Sequence, residues 1–333
     1  MKHVTIIVPD IQSTLSTVSC IIGAFDIFMR ANKYWKEIHK NEKFKIQMAA
    51  VSKKAQFYDG MLTLKPHVQI STITKTDLII IPSVDSQFQT ALKGNKLLIG
   101  WIAQQYRKGA EVASMCTGAF LLASSGLLDG KNCSTHWSSA DSFKTIFPKV
   151  NLRVDKLITD ESGIYTNGGA YSFLHLLIYL VEKHFDRETA IYCSKLFEIE
   201  LDRQSQSPFT IFSGQKMHGD ELIQQAQAYI ENKLAEKMSA KNLSLRFAIG
   251  RRNFDRRFVR ATGNTPVEYV QRVKIEAAKK TFETSRKTIN EVMYAVGYSN
   301  MKSFREAFKK VTGITPFEYR DKYNKEVVIK IAL

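Results

Sequence analysis

A pattern repeated at an offset of 50 residues constrains this chain more than anything in its composition. Phe254, Phe258, Thr262, Gly263, Thr265, Pro266, Glu268 and Tyr269 return in register as Phe304, Phe308, Thr312, Gly313, Thr315, Pro316, Glu318 and Tyr319. Eight identities over sixteen positions mark a duplicated structural unit. Its physical logic is local. Two Phe at i, i+4 stack on one helix face as core anchors. Thr-Gly then ends that helix, because glycine tolerates the left-handed cap. Thr-x-Pro opens the next, with Thr at the N-cap and Pro in the first turn.

What precedes each Phe pair points to function. Before the second runs Ile289 to Val296, a short amphipathic helix, then Gly297 and a Ser299/Asn300 cap. Two short helices joined by a glycine-containing turn predict a helix-turn-helix, whose second helix enters the DNA major groove. Leu243 to Asn253 fits the same frame less fully, with Ala248 at the Gly297 position and Gly250 at that of Ser299.

Over residues 221–322 the chain closely resembles the AraC/XylS family of bacterial transcription regulators, whose DNA-binding domain carries two such motifs. The strongest match runs from Val296-Gly297-Tyr298-Ser299 to Thr315-Pro316-Phe317-Glu318-Tyr319-Arg320. Departures are Met293 and Ser244 at positions usually small, and Glu306 where the family usually has Arg.

Charge agrees. The chain carries +16, and residues 221–333 hold 23 Lys and Arg against 12 Asp and Glu, leaving only +5 to the first 220 residues. Such concentration is the footprint of phosphate binding. Candidate DNA contacts are Arg251, Arg252, Asn253 and Arg256 on the first recognition helix, and Asn300, Lys302, Ser303 and Arg305 on the second. Arg and Asn can read guanine and adenine edges bidentately, while Lys mostly finds phosphate. Between the motifs, Pro266 to about Thr281 reads as one helix, with Arg272, Lys274, Lys279 and Lys280 on its surface. As a rigid spacer it would set the recognition helices about one DNA turn (~34 Å) apart.

The first two hundred residues are of another kind. Strand-like runs at Val4–Val8, Phe44–Val51, Leu78–Ile81 and Glu111–Met115 alternate with helical ones at Thr14–Ala31 and Gln87–Arg107. Alternation of this type predicts a flavodoxin-like parallel α/β sheet with flanking helices, against an all-α C-terminal domain. A hairpin-like insert spans Tyr58-Asp59-Gly60 to His67, and residues 170–201 read as one or two long helices. No apolar run reaches 18 residues, Met1-Lys2-His3 leads into a strand rather than a signal peptide, and four Cys show neither metal nor disulfide spacing. These features fit a cytoplasmic protein.

In Ser114-Met115-Cys116-Thr117-Gly118-Ala119 a strand ends in a Cys flanked by small residues, and a helix follows. This is the nucleophile-elbow arrangement. The helix N-terminus would lower the thiol pKa and offer N–H groups to an anion. Together with Gly126 to Gly130 and Thr135-His136-Trp137, the segment resembles the PfpI-type, class I glutamine-amidotransferase-like superfamily, and more closely its version fused to AraC-type domains. Cys116 and His136 match the Cys and His of the enzymes, with Asp10 the nearest candidate for the accompanying carboxylate. In the fused subfamily the resemblance implies a small-metabolite sensor. Its ligand residues would be Cys116, Thr117, Gly118 and His136, with Asn167, Gly168 and Gly169 as a further wall. A cationic ligand, as some relatives sense, would meet His175 where those proteins often have an acid. His136 read as a satisfied core histidine, and Trp137 as a core aromatic, are the structural alternatives.

The expected organisation is a sensor and dimerisation domain at 1–202, a linker at 203–220 and a DNA-binding domain at 221–333. The expected function is a non-enzymatic regulator of transcription, an activator on the resemblance. Its partners would be operator DNA, a small-molecule effector, a second copy bound through the N-terminal domain and RNA polymerase, with no membrane, metal or cofactor. Two rivals stand beside it: a Cys-dependent amidase or deglycase with a DNA-binding appendage, and an architectural DNA binder without sequence preference.

Overall fold

The computed structural model describes residues 1–10, 14–57, 60–216 and 218–324. They fall into two compact units that divide between Gln206 and Ser207.

The first unit opens with β1 (Lys2–Ile7), α1 (Leu15–His39) and β2 (Phe44–Ala50). A hairpin of β3 (Ala55–Phe57) and β4 (Leu62–Leu64) follows, then the short β5 (Val68–Gln69) and β6 (Leu78–Ile81). The expected hairpin insert is thus present, although its Tyr58-Asp59 tip lies outside the described residues. Next come α2 (Phe88–Gly94), α3 (Lys96–Arg107), β7 (Glu111–Ser114) and α4 (Ala119–Ser124). The helix expected over Gln87–Arg107 is broken at Asn95, whose side chain bonds back to the Ala91 carbonyl and closes α2. The unit is completed by β8 (Asn132–Cys133), α5 (Ala140–Ile146), β9 (Asn151–Leu152), β10 (Ile158–Glu161), β11 (Ile164–Asn167), α6 (Phe173–His184) and α7 (Arg187–Leu196).

Seven strands lie in the order β10-β11-β7-β6-β1-β2-β5. All neighbours are parallel except β10 and β11. Five of them, β2-β1-β6-β7-β11, reproduce the flavodoxin-like 2-1-3-4-5 order, whose ligands sit beyond the carboxyl ends of the strands. Strand β6 is apolar throughout, for a reason visible in the packing. Leu78 and Ile80 enter the layer beneath α1 and α6, while Ile79 and Ile81 enter the layer beneath α3 and α4. A strand covered on both faces has no polar face to display.

The second unit is helical: α8 (Glu221–Asn232), α9 (Ala240–Arg246), α10 (Arg251–Thr262), α11 (Pro266–Thr284), α12 (Ile289–Ala295), α13 (Met301–Thr312) and α14 (Pro316–Tyr323). The duplication is visible in packing. One core gathers Phe254, Phe258 and Tyr269, and a second gathers Phe304, Phe308 and Tyr319. Helix α11 serves both, giving Tyr269 and Val270 to one and Ile275, Ala278 and Phe282 to the other. Gly263 and Gly313 take the left-handed cap, and Thr265 and Thr315 form capping boxes with Glu268 and Glu318.

Two lysines expected on the surface of α11 are buried instead. Lys274 donates to the carbonyls of Glu236, before α9, and of Gly297, in the second motif, so one ammonium ties both halves together. Lys279 pairs with Glu276 and donates to the Thr210 carbonyl. Helical periodicity could not reveal either position, because a long stem can bury while its head finds backbone acceptors.

Candidate effector pocket and nucleic-acid interface

The elbow is real. Cys116 sits at φ 55° directly after β7, a left-handed conformation that is costly for a residue with a Cβ. Gly118 must be glycine, since a Cβ there would lie 2.4 Å from the Pro82 carbonyl oxygen. Three segments meet at this point. The Thr135 hydroxyl donates to the Cys116 carbonyl at 3.0 Å, and the Ala170 backbone bonds to the Cys116 thiol. The His136 ring lies so close to Gly169 that a Cβ on the glycine would fall 2.1 Å from the imidazole Cδ2. The elbow, the Thr135-His136 segment and the Asn167–Gly169 turn therefore converge as the sequence suggested.

Their chemistry departs from the expectation of an activated thiol. Burial pushes the Cys116 thiol up, against weaker opposing bonds from Ala170 and Thr117. Two N–H groups of the expected anion cradle are also taken. Gly118 N–H donates to the Met115 carbonyl, and Ala119 N–H to Cys116 and Thr117. The Thr117 hydroxyl accepts from Val84 N–H and donates to Val84 carbonyl. Helix α4 has only six residues, and its first amide, Ala119 N–H, is turned back on the preceding 3-10 turn.

Nor is His136 poised as a base. Its Nδ1 accepts from Ser138 N–H and meets the Ser138 hydroxyl at 2.7 Å, where a catalytic histidine would have a carboxylate, and burial holds its pKa below the usual value. Asp10 accepts from Ser52 N–H. Trp137 is half-buried beside His136 rather than a core aromatic. His175 lies close enough to Arg203 for that cation to lower its pKa further, after burial. Asn167 donates to the carbonyls of Leu157 and Ser172, and its fully buried Oδ1 has no partner among the described residues.

One residue in this pocket was absent from the sequence-derived set. Gln206 is buried, and its carboxamide fills the space that the lack of a Cβ on Gly168 leaves. The stretch expected as a linker, 203–220, is divided between the two units. Residues 204–206 pair with 155–157 in the first. In the second, Phe212 N–H bonds to Glu276, its ring packs edge-on against Tyr269, and Phe209 packs near Tyr323. Only the aromatic side chains at 209 and 212 signalled such packing.

Both recognition helices present their candidates to solvent. Arg251, Arg252, Asn253 and Arg256 are exposed on α10, as are Lys302, Ser303 and Arg305 on α13. Asn300 is exposed too, but its Oδ1 is the N-cap, accepting from Ser303 N–H. In the turns, Ala248 and Gly297 both adopt the left-handed region, at φ 50° and 75°. The predicted register of the two motifs is thus the observed one. Beside α10 an open groove of about 1080 Å³ is lined by His218, Arg256, Arg257 and Arg260. Arg257 pairs through two nitrogens with Asp220, which caps α8. Among the described residues, no helix is long and apolar enough to cross a membrane.

Comparison with known proteins finds a match within each unit. Residues 29–182 match the DJ-1/PfpI family, and residues 243–322 match a helix-turn-helix domain family. The transcriptional regulator GbdR of Pseudomonas aeruginosa is 24% identical over 67% of this chain and 60% of its own length. The regulator ArgR of the same organism is 25% identical over 66% of this chain and 67% of its own. A solved Vibrio parahaemolyticus protein, 21% identical, superposes with a TM-score of 0.51 over 59% of this chain and 98% of that one, and so shares the fold of the first unit. The chain thus resembles the DJ-1/PfpI family in its first unit and an AraC-type helix-turn-helix domain in its second. It spans about three fifths of the GbdR sequence it resembles.

Proposed function

We propose that this chain is a sequence-specific DNA-binding regulator of transcription, and that its DJ-1/PfpI-family domain senses a small molecule. The observation that carries the first half is the pair of solvent-facing recognition helices built around one shared helix, α11, with cations at their exposed N-terminal turns. The relatives' names, which call them transcriptional regulators, support the same reading. Selection from random duplexes followed by anisotropy titration tests it. Enrichment of one long, asymmetric site supports the regulator, and equal affinity for all duplexes with a steep salt slope supports the architectural rival.

Sensing is supported by the convergence of Cys116, His136 and the Asn167–Gly169 turn at the carboxyl end of the sheet, where flavodoxin-like folds bind ligands. The raised thiol and the His136–Ser138 pairing weigh against the amidase reading, which would require loss of turnover on Cys116→Ser. A thermal-shift screen of the full chain against amino acids, quaternary amines and organic acids, with Cys116→Ala alongside, tests the sensor. A selective shift lost in the variant places the effector at the elbow. In this reading the protein acts in the cytoplasm, as a homodimer through its first unit, with RNA polymerase as the partner in activation.

A further inference from the structure

The Gln206 carboxamide lies in a niche with a polarity of its own. On one side stand three acceptors: Gln206 Nε2 donates to the Thr135 carbonyl at 3.0 Å, the Ser134 hydroxyl oxygen at 3.3 Å and the Lys156 carbonyl at 3.4 Å. The Ser134 hydroxyl spends its own proton on Lys156, which leaves its oxygen as an acceptor. On the other side is one donor, Gly169 N–H, bonded to Gln206 Oε1 at 3.1 Å. A Cβ on Gly168 would lie 2.7–2.8 Å from the carboxamide carbon, nitrogen and oxygen, so bare glycine shapes the cradle.

This pattern selects one functional group. A carboxylate would set an anion against three lone pairs and find one donor. An ammonium or guanidinium would leave Gly169 N–H unpaired in a buried site. A primary carboxamide satisfies both sides. We propose that the niche is a carboxamide-recognition subsite of the effector pocket, occupied in cis by Gln206, and that a carboxamide-bearing effector displaces this side chain. The proposal rests on reading residues 116–118, 134–136 and 167–169 as that pocket. The boundary between the units falls at the Gln206–Ser207 peptide bond, so displacement that also loosens the 204–206 pairing would add free chain to the tether of the DNA-binding unit. Tether length sets the effective concentration of one module at its neighbour's site.

The test uses the full chain and follows amide hydrogen exchange by mass spectrometry. Gln206→Ala removes a fragment the size of acetamide. Exchange at residues 168–170 should rise about tenfold on loss of this bond. Acetamide should restore protection in the variant, and acetate of nearly the same shape should not. In the unmutated chain, propionamide in large excess should raise exchange across 204–206. Gln206→Glu, which keeps the size of the side chain, should behave as an open niche even where Gln206→Ala folds poorly. Equal exchange in the wild type and both variants, or rescue by acetate as good as by acetamide, overturns the proposal. No effector enters the acetamide measurement, so its failure is distinct from failure of the sensing reading. Acetamide rescue combined with a screened effector that lacks a carboxamide would overturn the displacement step alone.

Discussion

In the second helix-turn-helix half, α12 opens on a reciprocal Thr288–Glu291 box and α13 on the Asn300 side chain; in the first, α9 opens on Ser239 alone and α10 on Gly250, which has no side chain to offer. The turns differ in the same sense. Gly297 takes its left-handed conformation without steric cost, while Ala248 must force a Cβ into it. What the first half lacks locally it gains by tertiary contact, since Arg257 on α10 is clamped to Asp220 at the start of α8. Two copies of one pattern thus reach the same fold by different routes. The second is specified by its own sequence, and the first leans on its neighbour.

That contrast can be broken most forcefully at the turns. Gly297→Ala would place a Cβ 2.6 Å and 2.7 Å from the carbonyl oxygens of Ala235 and Leu234, in addition to the left-handed strain. A loss of about 2–4 kcal/mol in denaturant melts is expected. The reciprocal Ala248→Gly should stabilise by up to about 1 kcal/mol, because relief of strain outweighs the added freedom of the unfolded chain. If both changes destabilise alike, the halves are not differently built.

Smaller effects should follow at Asp220. Asp220→Ala removes the cap of α8, worth about 1 kcal/mol, together with the Arg257 clamp, and hydrogen exchange should report the loss across α8–α10 but not α12–α14. The Arg257 side chain, with Ile223 N–H, holds the Asp220 carboxyl below its ordinary value of 3.8. A depressed carboxylate contributes stability that is full above the unfolded value and lost as pH falls through the folded one. Acidification below about pH 4 should therefore weaken the first half more in the wild type than in Asp220→Asn. Thr288→Ala should cost about 1 kcal/mol, confined to the second half.

The sequence spoke clearly wherever specification was local. The Thr-Gly stops, the Thr-x-Pro starts and the left-handed turn at Gly297 were readable because each is dictated within a few residues. The apolar-rich runs of β1, β2, β6 and β7 were readable for the same reason. The two-residue strands β5, β8 and β9 were not, since their pairing is decided by partners far along the chain. The elbow geometry at Cys116 was legible, but its electrostatics were not. Burial and the consumption of nearby N–H groups by local carbonyls are three-dimensional facts. Gln206 stayed hidden in a polar stretch that composition alone marks as linker.

The most direct measurement is the affinity of the selected duplex for the full chain carrying Arg251→Ala/Arg252→Ala or, separately, Lys302→Ala/Arg305→Ala, each titrated on DNA altered in one half of the site or the other. If both helices read DNA, each double variant should bind at least about tenfold more weakly and become indifferent to base changes in its own half only. Cys116→Ser should bind as the wild type does. Unchanged affinity in both double variants, with base preference intact, would contradict the assignment of α10 and α13 as the reading helices.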